Sequence, residues 1–282
     1  MILGAHMSIA GGVQRALERG LAIRCRAVQI FTRNQLQWVA PPLTDEEVER
    51  FRALTPRLRS VFAHTSYLLN LASPQAELFR RSTAGLAEEL KRCRLLGIEL
   101  LVMHPGAHMG RGIGAGIRRL VGGLHQAYAA ADAPEVTLAL ETTSGRGTLL
   151  GRRFEELRDI LDAASARQDF RAGVCLDTCH VFAAGYELRT RQGYRQTMAA
   201  FDRVVGLGSL RAVHLNDSAG AFASGVDRHA HIGAGAIGKD GFRLLVRDPR
   251  LRGLPGVLET PKGAELREDV ENLATLRGLR RG

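Results

Sequence analysis

The stretch Gly173-Val174-Cys175-Leu176-Asp177-Thr178-Cys179-His180 runs apolar, stops on an acid and follows it with an imidazole. A short apolar run of this kind reads as a fully buried strand of a parallel sheet. Ending such a strand on Asp and His is costly unless something compensates the buried polar groups. A metal ion does so. The same unit recurs on both sides. Leu210–His214 and Gly256–Glu259 follow it, and Val136–Glu141, Glu99–His104, Ser60–His64, Ala27–Phe31 and Ile2–His6 precede it.

Helical patterns alternate with these runs. Gly11-Gly12 opens a helix to about Ile23. Thr44 and Glu47 form a capping box for a helix to about Leu54. Ser73-Pro74 opens a long helix to Leu96, with Gly97 as its C-cap. A Gly-rich loop and a helix follow His104. Arg153–Arg167 is a helix, and a loop then leads to another around Tyr194–Val205. A long polar loop after His214 precedes a helix beginning near Gly238, and the last helix ends near Leu279, leaving a frayed basic tail, Arg280-Arg281. Eight β-α units predict a closed (β/α)8 barrel occupying residues 1–282 as one domain. A doubly wound sheet usually has fewer strands and carries a Gly-rich fingerprint after the first, which is absent here.

With 282 residues, 45% hydrophobic but only 5% aromatic, the core must be built mostly from Leu, Val, Ile and Ala. The net charge of +10, from 39 Lys+Arg against 29 Asp+Glu, points to a polyanionic partner, nucleic acid first. Four cysteines in a chain this long are not a disulfide framework. Cys25 and Cys93 sit in helix-like patterns and read as buried apolar residues, and Cys175 and Cys179 lack the second pair that a cysteine metal site needs. The N-terminus has no signal-peptide pattern, and no run reaches the roughly 18 apolar residues of a spanning helix. The expectation is a reduced, cytoplasmic compartment and no membrane.

In a barrel the strand C-termini share one face, where active sites are built. Here they are His6, Phe31, His64, His104, Glu141, Asp177, His214 and Glu259, with His180 and Asp227-Arg228-His229 in the loops just beyond. A lone His at a strand end is more often structural than ligating, but packing does not account for so many on one face. Imidazole with carboxylate suits Zn, Mn or Fe. The ligands are too many for one ion and suit two or three, and metals about 3.5–4 Å apart clamp an in-line displacement at phosphorus.

In combination, His64-Thr65-Ser66-Tyr67-Leu68-Leu69-Asn70-Leu71-Ala72, the Gly173–His180 stretch and His214-Leu215-Asn216-Asp217 with Asp227-Arg228-His229 resemble the endonuclease IV family of apurinic/apyrimidinic (AP) endonucleases. Gly4-Ala5-His6, Phe31-Thr32 with Asn34-Gln35 and Gln37-Trp38, His104-Pro105-Gly106, Leu140-Glu141-Thr142 and Leu258-Glu259-Thr260 extend the resemblance over essentially the whole chain. It implies a DNA-repair hydrolase acting on duplex DNA that contains abasic sites, with three Zn2+ per chain. His64 and His104 would hold one zinc, Glu141 would bridge it to a second completed by Asp177, His214 and Glu259, and His180, Asp227 and His229 would hold the third. Glu141, Asp177 and Glu259 would thus sit at the reacting pair. A hydroxide activated by the zincs would attack the phosphate 5′ to the abasic sugar, leaving a 3′-hydroxyl and a 5′-deoxyribose phosphate, with trimming of blocked 3′ ends as a second activity.

DNA contacts implied by the resemblance are Tyr67 and the Asn34–Trp38 loop, including Gln35 and Leu36. Local packing competes for Tyr67, and a loop anchor on the rim for Trp38. Arg228 would clamp a phosphate or make a salt bridge behind the ligands. His6 and His108 are expected to support the site or face DNA rather than ligate. His229 is preferred to His231 as the ligand, and His125 is an ordinary helix residue. Family members often carry Arg where Leu36 stands and Lys where Ala219 stands, and a basic residue can occur at Gly225, so the departures touch DNA grip rather than metal binding. Nothing calls for more than a monomer. The rival is a xylose isomerase-like sugar isomerase or epimerase, for which Glu141, Asp177, His214 and Glu259 would suffice as a single-metal site. It has no use for His64, His104, His180, Asp227 and His229, or for the +10 charge.

Overall fold

In a computed structural model, which describes residues 1–165 and 170–281, eight parallel strands close into a barrel. The strands are β1 (Ile2–Met7), β2 (Ala27–Phe31), β3 (Ser60–His64), β4 (Leu100–Met103), β5 (Thr137–Glu141), β6 (Ala172–Asp177), β7 (Leu210–His214) and β10 (Pro255–Leu258). Around the barrel they run in the order β1-β10-β7-β6-β5-β4-β3-β2. Two short strands, β8 (Asp217–Ser218) and β9 (His229–Ala230), pair antiparallel above it. Helices α1 (Val13–Ala22), α2 (Asp45–Leu54), α3 (Ala76–Leu96), α4 (Ile113–Ala131), α5 (Phe154–Ala164), α7 (Arg191–Val204), α8 (Gly238–Arg247) and α9 (Arg267–Arg281) surround it, and a short helix, α6 (Thr178–Ala184), follows β6 directly.

Local chemistry sets the element ends. The Thr44–Glu47 capping box is formed in both directions and starts α2. Gly97, at φ 71°, ends α3 in the left-handed conformation that glycine adopts without strain. Helix α3 begins at Ala76, because Ser73 and Pro74 belong to a turn in which the Ser73 hydroxyl accepts from the Gln75 N–H at 3.1 Å. The expected Arg153–Arg167 helix is seen as Phe154–Ala164; Arg167 lies outside the described residues. The tail is helical through Arg281 rather than frayed, and the Arg280 guanidinium reaches the Met1 carbonyl.

The core has two parts. Ala27, Phe62, Val102, Ala139, Cys175, Ala212 and Val257 fill the barrel interior, while a larger Leu/Val/Ile-rich layer packs the strands against the helices. Phe62 is the one large side chain among the fully buried interior residues, so small residues from the other strands close around it. At Gly4, a Cβ would lie 1.6 Å from the Ala27 carbonyl oxygen, so only glycine lets β1 come this close to β2. Among the described residues, no helix is long and apolar enough to cross a membrane. All four cysteines are free and buried; Cys25 sits in the turn before β2 rather than in a helix.

Candidate metal centre

The strand C-termini bring His64, Glu141, Asp177 and His214 to one end of the barrel, with His104 and Glu259 immediately past β4 and β10. Register does the first part of the work: Asp177 pairs with His214, and Glu141 with Cys175 of the same strand as Asp177. Strand β6 runs straight into α6, which Asp177 caps through Oδ1 and the His180 N–H at 2.8 Å. His180 is therefore on the first turn of a helix and not in a loop. The long loop after His214 likewise contains the β8–β9 hairpin, which carries His229 back over the cluster.

Nine side chains converge into overlapping groups: His64, His104 and Glu141; Glu141, Asp177, His214 and Glu259; and His180, Asp227 and His229. Glu141 belongs to the first two. Its Oε2 lies 2.9 Å from both His64 Nε2 and His104 Nε2, and its Oε1 lies 2.8 Å from His214 Nδ1. His214 Nδ1 also faces Glu259 Oε2 at 3.1 Å, and His180 Nε2 faces Asp227 Oδ1 at 3.0 Å. Cys179 makes a further grouping with Asp177 and His229. Burial pushes its thiol up to about 12, and the Sγ–H rests on the Arg228 carbonyl.

The orientation of the imidazoles decides what this cluster suits. His64 Nδ1 donates to the Thr65 carbonyl at 2.7 Å, His180 Nδ1 to the Thr142 carbonyl at 2.8 Å and His229 Nδ1 to the Glu259 carbonyl at 3.2 Å. His214 is turned the other way, with Nε2 donating to Gln29 Oε1 at 2.7 Å. In each of these rings the spent nitrogen carries the proton, so the lone pair of the other points at carboxylates. Lone pair against carboxylate is repulsive unless a proton or a cation lies between them. Four carboxylates and five imidazoles in this arrangement are a donor set for hard-to-borderline divalent cations. His229 Nε2 is buried without a hydrogen-bond partner, 3.8 Å from Asp177 Oδ2 and 3.5 Å from Asp227 Oδ1. An orphaned ring nitrogen aimed between two acids fits a cation position.

Electrostatics run the same way. Burial alone would raise the Glu141 carboxyl, but His214, His104 and His180 hold it well below the ordinary carboxylate range. Burial opposes ionisation of Glu259 too, yet the His214 imidazole and its neighbours bring it down to about 2. Both acids are thus kept ionised in a dry site, ready as ligands.

Other predicted residues fall around the cluster. Tyr67, more than half exposed, stands over it with its ring 5.6 Å from that of His64 and 6.0 Å from that of His104. Leu36 projects into solvent and Gln35 lies beside it, its carbonyl accepting from the Ser66 hydroxyl at 2.7 Å. Trp38 is tucked against the core under the Arg81 guanidinium, 4.3 Å from its ring, and so anchors its loop. Arg228 is exposed beside the hairpin and, among the described residues, has no acidic partner. His6 sits lower, its Nδ1 on Gln29 Nε2 at 2.8 Å and its ring 4.4 Å from Phe31; burial pushes it down to about 3. His108 Nδ1 accepts from the Gly112 N–H and so braces its own loop. His231 Nδ1 is taken by Asn272, outside the groups, and His125 donates to the Ala164 carbonyl from α4.

Several residues beneath the site escape a strand-end reading. Gln29 touches His214, Glu259 and His6 at once, and Asn216 donates to Asp177 Oδ2 at 2.6 Å and to Glu259 Oε2 at 3.1 Å. Gln29 is fully buried in β2, and a Gln inside an otherwise apolar strand is the signal that could have marked it. Asp217 is fully buried and gathers the backbone N–H groups of Gly233, Gly235 and Ile237, shaping the loop that follows the hairpin. The buried Arg33–Glu89 pair, at 2.9 Å, joins the two rim loops: Arg33 donates to the Gln37 and Trp38 carbonyls, and Glu89 accepts from the Ser66 N–H.

Residues 14–276 match the family model described as a xylose isomerase-like TIM barrel. Over 99% of the chain, 47% of residues are identical to a protein from Chloroflexus aurantiacus named probable endonuclease 4, covering 98% of that protein. The chain belongs to the endonuclease IV family. A second relative of the same name, from Geobacter sulfurreducens, is 48% identical over 98% of the chain and 94% of its own length. The crystal structure of endonuclease IV from Thermus thermophilus superposes with a TM-score of 0.88 at 39% identity, covering 99% of this chain and 98% of that one. The protein is accordingly a nuclease, a hydrolase of the DNA-repair class. The family model's description alone would equally have covered a sugar isomerase; identity near half of all residues is what separates the two.

Proposed function

We propose that this endonuclease cleaves the phosphodiester bond 5′ to abasic sites in duplex DNA, leaving a 3′-hydroxyl and a 5′-deoxyribose phosphate, and that it also trims blocked 3′ ends. The observation that carries the proposal is the set of three neighbouring His/carboxylate groups, two of them joined through Glu141, with more donors than one cation needs. His64 and His104 with Glu141 would hold one zinc, Glu141, Asp177, His214 and Glu259 a second, and His180, Asp227 and His229 a third. When bound, zinc acidifies water and neutralises charge on phosphoryl oxygens.

The chain's own residues do the rest. Glu141 and Glu259 stay ionised, and Asn216 and Gln29 keep the oxygens of Asp177 and Glu259 from rotating away. The carbonyls of Thr65, Thr142 and Glu259 hold the ring protons on Nδ1 of His64, His180 and His229, leaving Nε2 free to ligate. Tyr67 and the Gln35-Leu36 loop overhang the cluster where a nucleotide swung out of the helix would enter. An abasic nucleotide lacks base stacking and so leaves the duplex at lower cost than a paired one. Arg228 supplies a guanidinium for a phosphate beside the hairpin. His108 contributes through the loop it braces, and His6 through its contact with Gln29 beneath the cluster. The enzyme works as a monomer, one barrel domain over residues 1–282, in the reduced cytoplasm, a setting with which four free buried cysteines agree.

A duplex with one abasic analogue, incubated with the zinc-supplied protein, tests this: a single cut 5′ to the lesion with a free 3′-hydroxyl is expected. No incision by protein shown to contain metal would rule the specificity out.

A further inference from the structure

Part of the +10 charge lies far from the metal end. Two adjoining concavities, of about 370 and 440 Å3, lie at the other end of the barrel, where the strands begin. Arg26 immediately precedes β2, Arg59 precedes β3, Arg252 stands just before β10, and Arg277 and Arg280 lie in the last turns of α9. In a barrel of parallel strands with antiparallel helices these positions share the N-terminal face. The concavities have Met1, Gly253 and Arg280 in common and so form one trough. Arg26, Arg59 and Arg277 line one half, and Arg247 and Arg252 the other.

Among the described residues, none of these six guanidinia is ion-paired. Arg277, Arg280 and Arg247 spend a donor on backbone carbonyls, while Arg26, Arg59 and Arg252 are exposed. The one acid among the lining residues, Asp248, is already held by Arg250 at 2.6 Å and by the Tyr194 hydroxyl at 2.7 Å. Guanidinium forks match phosphate oxygens in geometry as well as charge. An elongated trough with arginines along both halves fits successive phosphates of one strand better than a single anion.

We propose that this trough binds the sugar-phosphate backbone of a second DNA segment while the metal end engages the first. Contact is to phosphates and therefore independent of sequence. An enzyme with DNA on both ends of its barrel moves between segments by handing over from one end to the other.

Sedimentation of the whole protein with an undamaged duplex of about 12 base pairs at low salt reads the stoichiometry, since each phosphate contact strengthens binding as salt falls. Two duplexes per chain are expected for the wild type and one for R26E/R59E/R252E, three exposed positions away from the core and the metal end. Incision by the variant should match the wild type, and R26A/R59A/R252A should fall between the two in affinity for the second duplex. One duplex per wild-type chain at saturation overturns the proposal. So does retention of two duplexes by both triple variants, including the case in which they lose only binding of tripolyphosphate, which would mark a site for small polyphosphates.

Discussion

The two ends of one barrel carry opposite chemistry. At the C-terminal end, four carboxylates and five imidazoles crowd together, four of the rings turned by a backbone or amide carbonyl so that a lone pair faces an acid. At the N-terminal end, seven arginines stand around a trough with no acid to spare. The barrel supplies both, because its parallel strands all begin at one face and end at the other, and the C-terminal turns of α8 and α9 add arginines to the face where the strands begin. The contrast shows that overall charge is a poor guide to where the reaction happens. The end that handles phosphate chemically is dominated by acids, and it suits phosphate only after cations offset them.

Substitutions at the two ends should separate accordingly. Glu141→Gln at the metal end removes a charge shared by two groups and should lower incision by about 1000-fold or more, in the range where electrostatic preorganisation is lost; single-turnover cutting with supplied zinc measures it, and a loss under about tenfold would deny Glu141 its central place. Glu89→Ala strands the buried Arg33 and loosens the rim loops, costing about 3–5 kcal/mol of stability by denaturant titration. An unchanged midpoint would mean that the pair does not weld those loops. Gln29→Ala lies beneath the cluster and should weaken metal binding by about 10–100-fold while leaving the fold intact. Metal affinity, read by competition with a chelator, is the measurement, because a purely structural role would leave it untouched. At the far end, Arg59→Ser should change stability by no more than about 0.5 kcal/mol and leave incision alone. A defect in cutting would tie that end to the reaction.

Much of this contrast could be read in the chain beforehand, and the part that could not has a pattern. The metal end was legible because strand termini are local: a run such as Leu210–His214 shows both its apolar body and its polar stop, and the Thr44–Glu47 capping box shows itself within one turn. Helix α6 was not, since it starts directly after the last strand residue with no intervening turn and is too short to show a period. Gln29 stands out as the one polar residue of its strand, but its role was not legible, as its three partners come from other parts of the barrel. The Arg33–Glu89 pair and the basal arginines needed the closed barrel, because nothing local records that Arg26 and Arg280 will share a trough.

Counting the metal ions held by the folded protein tests the account most directly. Native mass spectrometry after dialysis against trace zinc should find about three ions per chain, lost together with incision on chelation. A stable count of one, on the Glu141, Asp177, His214 and Glu259 group alone, would contradict it and return the site to single-metal chemistry.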